Sequence, residues 1–376
     1  MTKLKENKLK PLFKYPGGKS AEYKHLKKFF PNFNTYVEPF LGGGAVYWAT
    51  SAQNWIINDY SEELIAIYRF TQIEDKLFLN YVNDIGKIWR NKNKYVNYIT
   101  NILKEETKLD RHQLFAISSE LVNSTRKIEL SLERLTQLLE ESIIRKKKSL
   151  VKIYKTTTIK NWEDNALGAL GAGIYTFLRE LYNHATFNQE PQLKTALYFF
   201  IREYSYSGMF RYNADGMFNV PFGGNTYAKK DFLKRYQQIT SKQVVDKLKN
   251  TSILRGDFSD ALIDEKDTFM FLDPPYDSEF STYNLHTFDA QEQVRLRDSL
   301  IKIRDTKWLM VIKSTDFIED LYDHDGWYKF RFDKSYSVNF KNRNEKDAKH
   351  LVITNYRLKQ RAKNDWIKRH YQFNLD

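Results

Sequence analysis

Apolar residues along the chain fall into two patterns, short continuous runs and long stretches with helical spacing. Residues 269–272 and 308–312 are continuous apolar runs of the kind found in strands buried in a covered sheet. The amino-terminal part is predicted to form a short strand starting at Thr35, a glycine-rich turn, a helix over residues 45–51 and a second strand at residues 55–57. Strands that alternate with helices predict an α/β fold.

The middle of the chain is predicted to be helical. Over residues 81–98 and 104–148, apolar positions recur at helical spacing with charges between them. Such stripes are usually core, so residues 74–196 are interpreted as a helical insertion without assigned functional residues. The glycines of residues 168–173 are expected to break the helix periodicity, which resumes at residues 174–183.

Two segments of this insertion allow two interpretations each. The basic run at residues 145–148 either contacts phosphates or is the solvated end of a helix. Residues 153–162, which include three threonines, form either a strand or an ordered loop on a nucleic-acid face.

Two hairpins are predicted near the carboxyl-terminal half. Residues 198–224 are rich in aromatic rings, and the turn sequence at residues 213–216 lies between two aromatic strands. Residues 330–340 and 350–356 form a terminal antiparallel ribbon around the charged loop of residues 341–349. The chain is therefore expected to combine a mostly parallel sheet with antiparallel additions.

Charge changes this picture by pointing to a partner. The 376 residues include 60 Lys and Arg against 47 Asp and Glu, which gives a net charge of +13 and a basic composition. Such a balance favours a polyanionic partner through phosphate contacts, or it reflects a Lys- and Asn-rich proteome. The length allows one large domain with an insertion, or two domains.

The cysteine count and the hydropathy limit the location and the chemistry. Because the chain has no cysteine, disulfides, thiol nucleophiles and cysteine zinc sites are excluded, and a reducing interior is indicated. No apolar run reaches membrane-spanning length, and the basic start lacks a following hydrophobic region. We expect a cytoplasmic protein without a membrane partner or signal peptide.

Candidate chemistry begins where the apolar run at residues 269–272 ends, at Asp273-Pro274-Pro275-Tyr276. The prolines cannot continue a sheet ladder, and ligands of open α/β sheets bind beyond the carboxyl ends of the strands. One carboxylate, free prolyl carbonyls and the Tyr276 ring suit a flat, amino-bearing ring such as an extruded nucleobase. The alternative is a proline-stiffened turn with a capping Asp273.

A second candidate site lies at the glycine-rich turn after the first strand. Glycines at positions 42–44 let a ligand approach the main chain, and Asp59 ends the second strand, where it can accept from ribose hydroxyls. Position 47 is Tyr47, so the dinucleotide fingerprint is not satisfied and a nicotinamide cofactor is disfavoured. Asp59 is alternatively the cap of the helix that follows.

The segment of residues 13–20 contains Gly-Gly-Lys-Ser, but Phe13 stands where a phosphate-binding loop requires its first glycine. We interpret the segment as a cofactor loop with an aromatic wall at Tyr15 and a cationic arm at Lys19. An ordinary turn capped by Ser20 is the alternative.

Taken in order, these motifs resemble the alpha group of DNA adenine N6 methyltransferases, the family of the DNA adenine methylases. The resemblance covers about the first 70 residues and residues 198–356. The motifs are Tyr-Pro-Gly-Gly-Lys at 15–19, Glu-Pro-Phe-Leu-Gly-Gly-Gly at 38–44, Asn-Asp-Tyr at 58–60, the hairpin residues 210–213 and 216–223, Arg-Gly-Asp-Phe at 255–258 and Asp-Pro-Pro-Tyr at 273–276, with weaker similarity at 336–338 and 351–356.

The resemblance implies a Rossmann-like methyltransferase sheet, S-adenosylmethionine as cofactor and a flipped adenine as substrate. It assigns contacts with the cofactor to a set of residues in the motifs: Tyr15, Lys19, Phe40, Gly42, Gly44, Asp59, Asp257, Phe258 and Asp273. Within this set, Asp257 and Phe258 match the positions that hold the adenine of the cofactor. Catalysis is assigned to Asp273, Pro274, Pro275 and Tyr276, and no metal is required.

The aromatic hairpin resembles that family's target-recognition hairpin. A two-stranded ribbon fits the major groove, where Arg211 or Asn213 could read base edges. Relatives that read GATC usually have a basic residue just before the glycine of the tip, where this chain has Asp215. Asp accepts from the amino group of cytosine, so a different or longer site is expected.

The sequence therefore predicts a site-specific DNA adenine N6 methyltransferase of a restriction-modification system, or a solitary or phage methylase. An RNA or protein amino-group methyltransferase and a catalytically silent DNA-binding module are the alternatives. Residues 1–73 and 250–376 are assigned to the catalytic domain, and residues 74–249 to the helical target-recognition domain with a hairpin near 204–224. Double-stranded DNA is the predicted partner, with a companion restriction endonuclease as a further expectation; the oligomeric state is not given.

Overall fold

A computed structural model describes residues 9–13, 15, 18–20, 22–105, 109–123, 131–155, 158–275, 288–333 and 349–358. The chain divides into two compact units. The first unit comprises Met1–Pro11, Gly17–Ile65 and Asn250–Asp376. The second unit comprises Leu12–Pro16 and Ala66–Lys249.

The helices and strands follow the predicted alternation at both ends of the chain. The strands are β1 (Thr35–Glu38), β2 (Asn54–Ile57), β3 (Thr251–Ile253), β4 (Thr268–Leu272), β5 (Lys307–Lys313), β6 (Tyr328–Asp333) and β7 (Lys349–Thr354). The α-helices within the described ranges are α1 (Tyr23–Leu26), α2 (Ala45–Ala49), α3 (Glu62–Gln72), α4 (Lys76–Asn91), α5 (Val96–Lys104), α6 (Arg111–Val122), α7 (Leu132–Tyr154), α8 (Trp162–His184), α9 (Pro191–Tyr204), α10 (Asn225–Ala228), α11 (Leu233–Ile239), α12 (Lys242–Lys249), α13 (Ala290–Ile301) and α14 (Asp316–Leu321).

The first unit is built on a seven-stranded sheet with the order β3-β2-β1-β4-β5-β7-β6. Strands β1 to β5 pair in parallel, whereas β7 pairs antiparallel with both β5 and β6. The predicted α/β fold with a terminal antiparallel ribbon is confirmed, whereas residues 334–348, which include the similarity at 336–338 and most of the charged loop, lie outside the described residues. Because β1, β2 and β4 are neighbours and parallel, the residues that follow them leave the sheet at the same edge.

The core of this unit lies on the two central strands that the apolar runs predicted. Every residue of β4 is buried, and the five central residues of β5 from Trp308 to Ile312 are at most 1% exposed. Leu296 and Leu300 of α13 and Tyr322 pack into the same cluster. Asp273 therefore directly follows a strand that is fully packed in the core.

The second unit is helical, and one prediction about it is wrong. Helix α8 runs without a break through residues 168–173. A Cβ atom on Gly173 would lie 2.9 Å from Leu139 Cδ2 and 3.0 Å from Leu139 Cα, so this glycine allows α7 and α8 to pack closely. These glycines were expected to interrupt the helix, but packing between helices outweighs their low helix propensity.

The hairpin lies within its predicted bounds of residues 204–224, but it has isolated bridges in place of the two continuous strands that were predicted. Residues 198–204 belong to the end of α9, in which every residue from Thr195 to Tyr204 is buried. The predicted aromatic strands reduce to two bridges, Ser205 with Phe222 and Tyr212 with Phe218. The aromatic residues before position 205 thus serve the helical core, whereas the turn at residues 213–216 lies where it was predicted.

Residues 153–162, predicted to be a strand or an ordered loop, include the end of one helix, a described stretch without regular structure and the start of the next helix. Helix α7 extends to Tyr154, α8 begins at Trp162, and residues 158–160 have no regular structure; residues 156–157 lie outside the described residues. Among the described residues, no helix has the length and the apolar character needed to cross a membrane.

Candidate active site

The candidate site of the first unit lies at the carboxyl ends of β1, β2 and β4. The register places Val37 beside Ile56 on one side and beside Met270 on the other. Tyr36 of β1 is buried and its hydroxyl donates to Glu38 Oε2 at 2.7 Å, so that burial and then Glu38 raise the pKa of Tyr36 well above its ordinary value. The ends of β1, β2 and β4 are therefore neighbours at one edge of the sheet.

Asp273 is held by a bidentate ion pair. Lys19 Nζ donates to Asp273 Oδ1 at 2.6 Å and to Oδ2 at 2.7 Å. The Lys19 side chain is 3% exposed and that of Asp273 is 21% exposed, so the pair is largely shielded from water. Charge-assisted bonds of this length are strong. Lys19 thus orients the carboxylate of Asp273.

The proline turn is fixed by a side chain that sequence reasoning missed. Gln293 of α13 is fully buried, and its Nε2 donates to the carbonyl oxygen of Pro275 at 3.2 Å. The hydroxyl of Tyr322, also buried, donates to Gln293 Oε1 at 3.1 Å. A glutamine on the buried face of an amphipathic helix was the available signal. Pro274 is buried, whereas Tyr276 lies outside the described residues.

The glycine turn is tied directly to the end of β2. Gly42 and Gly44 have φ values of +48° and +62°, which side-chain-bearing residues rarely adopt. Asp59 Oδ2 accepts from Gly42 N at 2.8 Å, and its Oδ1 accepts from Ser61 N at 2.9 Å. Asp59 therefore fixes the turn through one oxygen and the start of the next helix through the other.

Asn58 is a second residue that sequence reasoning missed, although it belongs to the Asn-Asp-Tyr motif. Its side chain is buried, and Nδ2 lies 3.1 Å from the carbonyl oxygens of Pro39 and Gly256 and 3.3 Å from that of Asp257. One amide thus joins the ends of β1, β2 and β3. The three strand ends are fixed together by hydrogen bonds.

Asp257 is held ionised by Arg295. The guanidinium donates to both carboxylate oxygens, at 2.8 and 2.6 Å, and Ser259 donates through its backbone N at 3.0 Å. Hydrogen bonds from Arg295, followed by those from Ser259, hold the pKa of Asp257 far below its usual range. Arg295 was not predicted, because it lies 38 residues further along the chain.

Three aromatic rings pack beside this ion pair. Phe258 lies 5.4 Å from Phe40 and 5.9 Å from Phe288, measured between ring centroids. The Arg295 guanidinium lies 4.2 Å from the centroid of the Phe258 ring, which is 4% exposed. Phe40 and Phe258, both predicted cofactor contacts, thus belong to one apolar cluster.

The remaining predicted residues belong to the second unit. Tyr15 packs on the guanidinium of Arg202, and the hairpin tip from Asn213 to Met217 is exposed. Asn213 Oδ1 accepts from the backbone N atoms of Asp215 and Met217, at 3.2 and 2.8 Å, so this side chain shapes the turn. Arg211 is exposed and its Nε donates to Asn219 Oδ1 at 3.1 Å.

Comparisons with known proteins agree with these motifs. A family model for the D12 class N6 adenine-specific DNA methyltransferases matches residues 15–334. The Type II methyltransferase M.CviBI of Paramecium bursaria Chlorella virus NC1A is 26% identical over 93% of this chain and 100% of its own length. Type II methyltransferase M1.LlaDCHI of Lactococcus lactis subsp. cremoris is 25% identical over 95% and 99%. The DNA adenine methylase of Escherichia coli (strain K12) is 22% identical over 77% and 75%.

Proposed function

We propose that this chain, which belongs to the D12 class of N6 adenine-specific DNA methyltransferases, methylates an adenine extruded from a specific duplex site, with Asp273 positioning the amino group. The observation that carries the assignment of Asp273 is its bidentate pair with the buried Lys19, at the end of β4. Enzymes that act on a base within a duplex must first take it out of the stack, and a strand-end crevice is where it would be received.

The residues at this sheet edge fit S-adenosylmethionine, the cofactor of this family. When bound, it supplies a sulfonium methyl group that is already activated for transfer. Gly42 and Gly44 leave room for the methionine portion, because neither has a side chain. Asp59 ends the second strand, where an acidic residue can accept from ribose hydroxyls, and Asp257 is ionised and able to accept from the adenine amino group.

The catalytic turn acts by positioning and electrostatics. Asp273 accepts one hydrogen bond from the N6 amino group of the target adenine, and the carbonyl region of Pro274 accepts the other. This arrangement directs the nitrogen lone pair at the methyl group, and Tyr276 stacks on the extruded ring. Holding the nitrogen in line with the methyl group lowers the entropic part of the barrier, because binding has already fixed the orientation that a free encounter would have to find.

A sequencing experiment tests the function and identifies the site. The chain is expressed in a host that lacks adenine methylation, and its DNA is sequenced with a method that detects N6-methyladenine. We expect the modified base at one recurring sequence, and none in cells that carry Asp273→Ala. An absence of methylated DNA, together with methyl transfer to RNA or peptide in vitro, would overturn the proposal.

Two features of the cellular setting are part of the proposal. Two of the relatives are named Type II methyltransferases, which supports a companion restriction endonuclease that cleaves the unmodified site. A DNA substrate and a sequence without cysteine support a cytoplasmic location. Deletion of the gene from its natural host would test the nuclease, since its DNA should then be cleaved at the methylation site.

The Gln293 bond gives a first prediction. Gln293→Glu keeps an acceptor for the Tyr322 hydroxyl but removes the donor to the Pro275 carbonyl oxygen. We expect kcat to fall by about 10- to 100-fold, because small displacements of a positioning group are costly, with little change in cofactor affinity. Single-turnover rates and calorimetric binding of S-adenosylhomocysteine measure the two effects. Unchanged kcat in a folded variant would contradict the role of Gln293.

The Asp257–Arg295 pair gives a prediction about pH. Arg295 keeps the pKa of Asp257 low, so the ionised acceptor persists as the pH falls, and cofactor affinity in the wild type should stay level from about pH 7 to about pH 3.5. Arg295→Gln lets that pKa rise toward the ordinary value of an aspartate, so affinity should fall as the pH drops below about 4.5. Calorimetric titration of S-adenosylhomocysteine across this range measures both profiles. Arg297→Gln, on the same helix and paired with Asp298, is the control.

A further inference from the structure

Arg202 is a buried cation that the proposed mechanism does not use. It lies in the last turn of α9 and is 1% exposed. Its Nε and Nη2 atoms are buried and have no hydrogen-bond partner among the described residues. Burying a charge without a counter-ion or hydrogen bonds is costly, so a residue in this state needs another source of stabilisation.

Aromatic rings provide that stabilisation. The guanidinium carbon of Arg202 lies 4.8 Å from the ring centroid of Tyr15, 4.5 Å from that of Phe210 and 6.0 Å from that of Tyr198. Cation–π contacts at such distances are strongest when they are desolvated, as they are here. We call Tyr15, Arg202 and Phe210 the Arg202 stack.

The Arg202 stack joins two parts of the chain with different assignments. Tyr15 lies in the loop that carries a predicted cofactor contact. Phe210 immediately precedes Arg211 in the predicted recognition hairpin, and its ring packs 5.1 Å from Tyr198 and 4.9 Å from Phe218. All of these residues belong to the second unit, so the stack is internal to one compact body.

We propose that Arg202 is a positioning residue that couples cofactor binding at Tyr15 to the conformation of the DNA-reading hairpin at Phe210. The inference rests on the proposed function, because it takes Tyr15 as a cofactor contact and the hairpin as the DNA reader. Because Nε and Nη2 make no hydrogen bond to any residue that the structure describes, ring contacts dominate the placement of the guanidinium. A ligand that fixes Tyr15 therefore also favours one placement of Phe210.

Thermodynamic linkage makes the effect reciprocal. If the cofactor favours the hairpin conformation that binds DNA, then bound DNA must raise cofactor affinity by the same factor. The coupling is measured as the ratio of the cofactor affinities with and without DNA. A variant that weakens both affinities equally leaves this ratio unchanged. That ratio is the readout that a merely structural role for Arg202 would leave unchanged.

Binding of S-adenosylhomocysteine with and without a duplex measures the coupling. The duplex carries the site identified by sequencing, and calorimetry gives the Kd of S-adenosylhomocysteine in each state. In the wild type we expect the duplex to tighten binding. In Arg202→Met we expect the ratio of the two Kd values to fall by about tenfold, with the fold intact by near-ultraviolet circular dichroism.

Two further variants keep the test decisive. Phe210→Leu removes the ring on the hairpin side and leaves Arg202 in place, so it should lower the same ratio even if Arg202→Met does not fold. Lys92→Met is the control: Lys92 is also 1% exposed and lies 3.9 Å from the ring centroid of Trp89, outside the Arg202 stack. It should leave the ratio unchanged.

The outcomes separate the inference from the proposed function. If the wild type methylates DNA but shows no coupling, or if folded Arg202→Met or Phe210→Leu retains the full coupling, the role of Arg202 is overturned and the enzyme assignment stands. If the wild type produces no N6-methyladenine, the proposed function fails first.

Discussion

Asp273→Asn is expected to lower kcat by about 10³-fold, while the affinity for duplex DNA changes little. The substitution keeps the shape of the side chain but removes its charge. One of the two oxygens that Lys19 contacts becomes an amino group, which cannot accept a hydrogen bond from the target amine. Losses of this size are typical when a preorganised electrostatic group is removed from a reacting centre. Single-turnover transfer of labelled methyl groups to duplex DNA measures the effect.

Asp264→Asn provides the control for the loss of an acidic side chain in the same unit. Asp264 accepts from the backbone N atoms of Arg304, Asp305 and Thr306 and lies outside the motifs. We expect this variant to retain normal turnover. Turnover within a few-fold of the wild type in Asp273→Asn would reject the assigned role of the carboxylate.

Lys19→Met is expected to lower kcat by about 10²-fold and to reduce the free energy of unfolding by about 2 kcal/mol. Lys19 is almost fully buried, and its removal leaves Asp273 with an uncompensated charge at a site that is 21% exposed. The carboxylate then turns toward water, and the orientation needed by the amine is lost. Turnover and urea denaturation measure the two effects.

Lys24→Met is the matched control, because Lys24 lies on α1 and is exposed. Lys19→Arg should recover part of the activity, since a guanidinium also donates to two carboxylate oxygens but requires more space. Full activity in Lys19→Met would show that Asp273 is oriented by other contacts. Reduced stability without reduced turnover would assign Lys19 a structural role only.

Much of the fold could be predicted from sequence, because local pattern and burial coincide there. Strands β4 and β5 were visible as continuous apolar runs, and the terminal ribbon was visible as two runs around a charged loop. The prediction for the glycines of α8 was wrong because a glycine can either interrupt a helix or allow a neighbouring helix to pack closely. At Gly173 the missing side chain allows a neighbouring helix to approach, and only the position of Leu139 reveals that use.

The candidate site was predictable only in part. Asp59 and Asp273 are recognisable because they follow strands, which is a local property. Gln293, Arg295 and Arg202 contact residues that the fold brings close, namely Pro275, Asp257 and Tyr15. A glutamine or an arginine in a helical stripe has no feature of its own that identifies such a partner. These contacts are visible only in the three-dimensional structure.

The interrupted sheet also affects how the protein is made. Thr35 of β1 pairs with Thr268 of β4, which the ribosome delivers about 230 residues later. Until then the nascent amino-terminal strands lack one of their neighbours, and sequence-distant pairing of this kind is slow. Residues Ala66 to Lys249, which make up most of the helical unit, are synthesised in this interval as one stretch. We expect the helical unit to fold while the sheet is still incomplete. During that interval we expect chaperones to bind the unpaired amino-terminal strands.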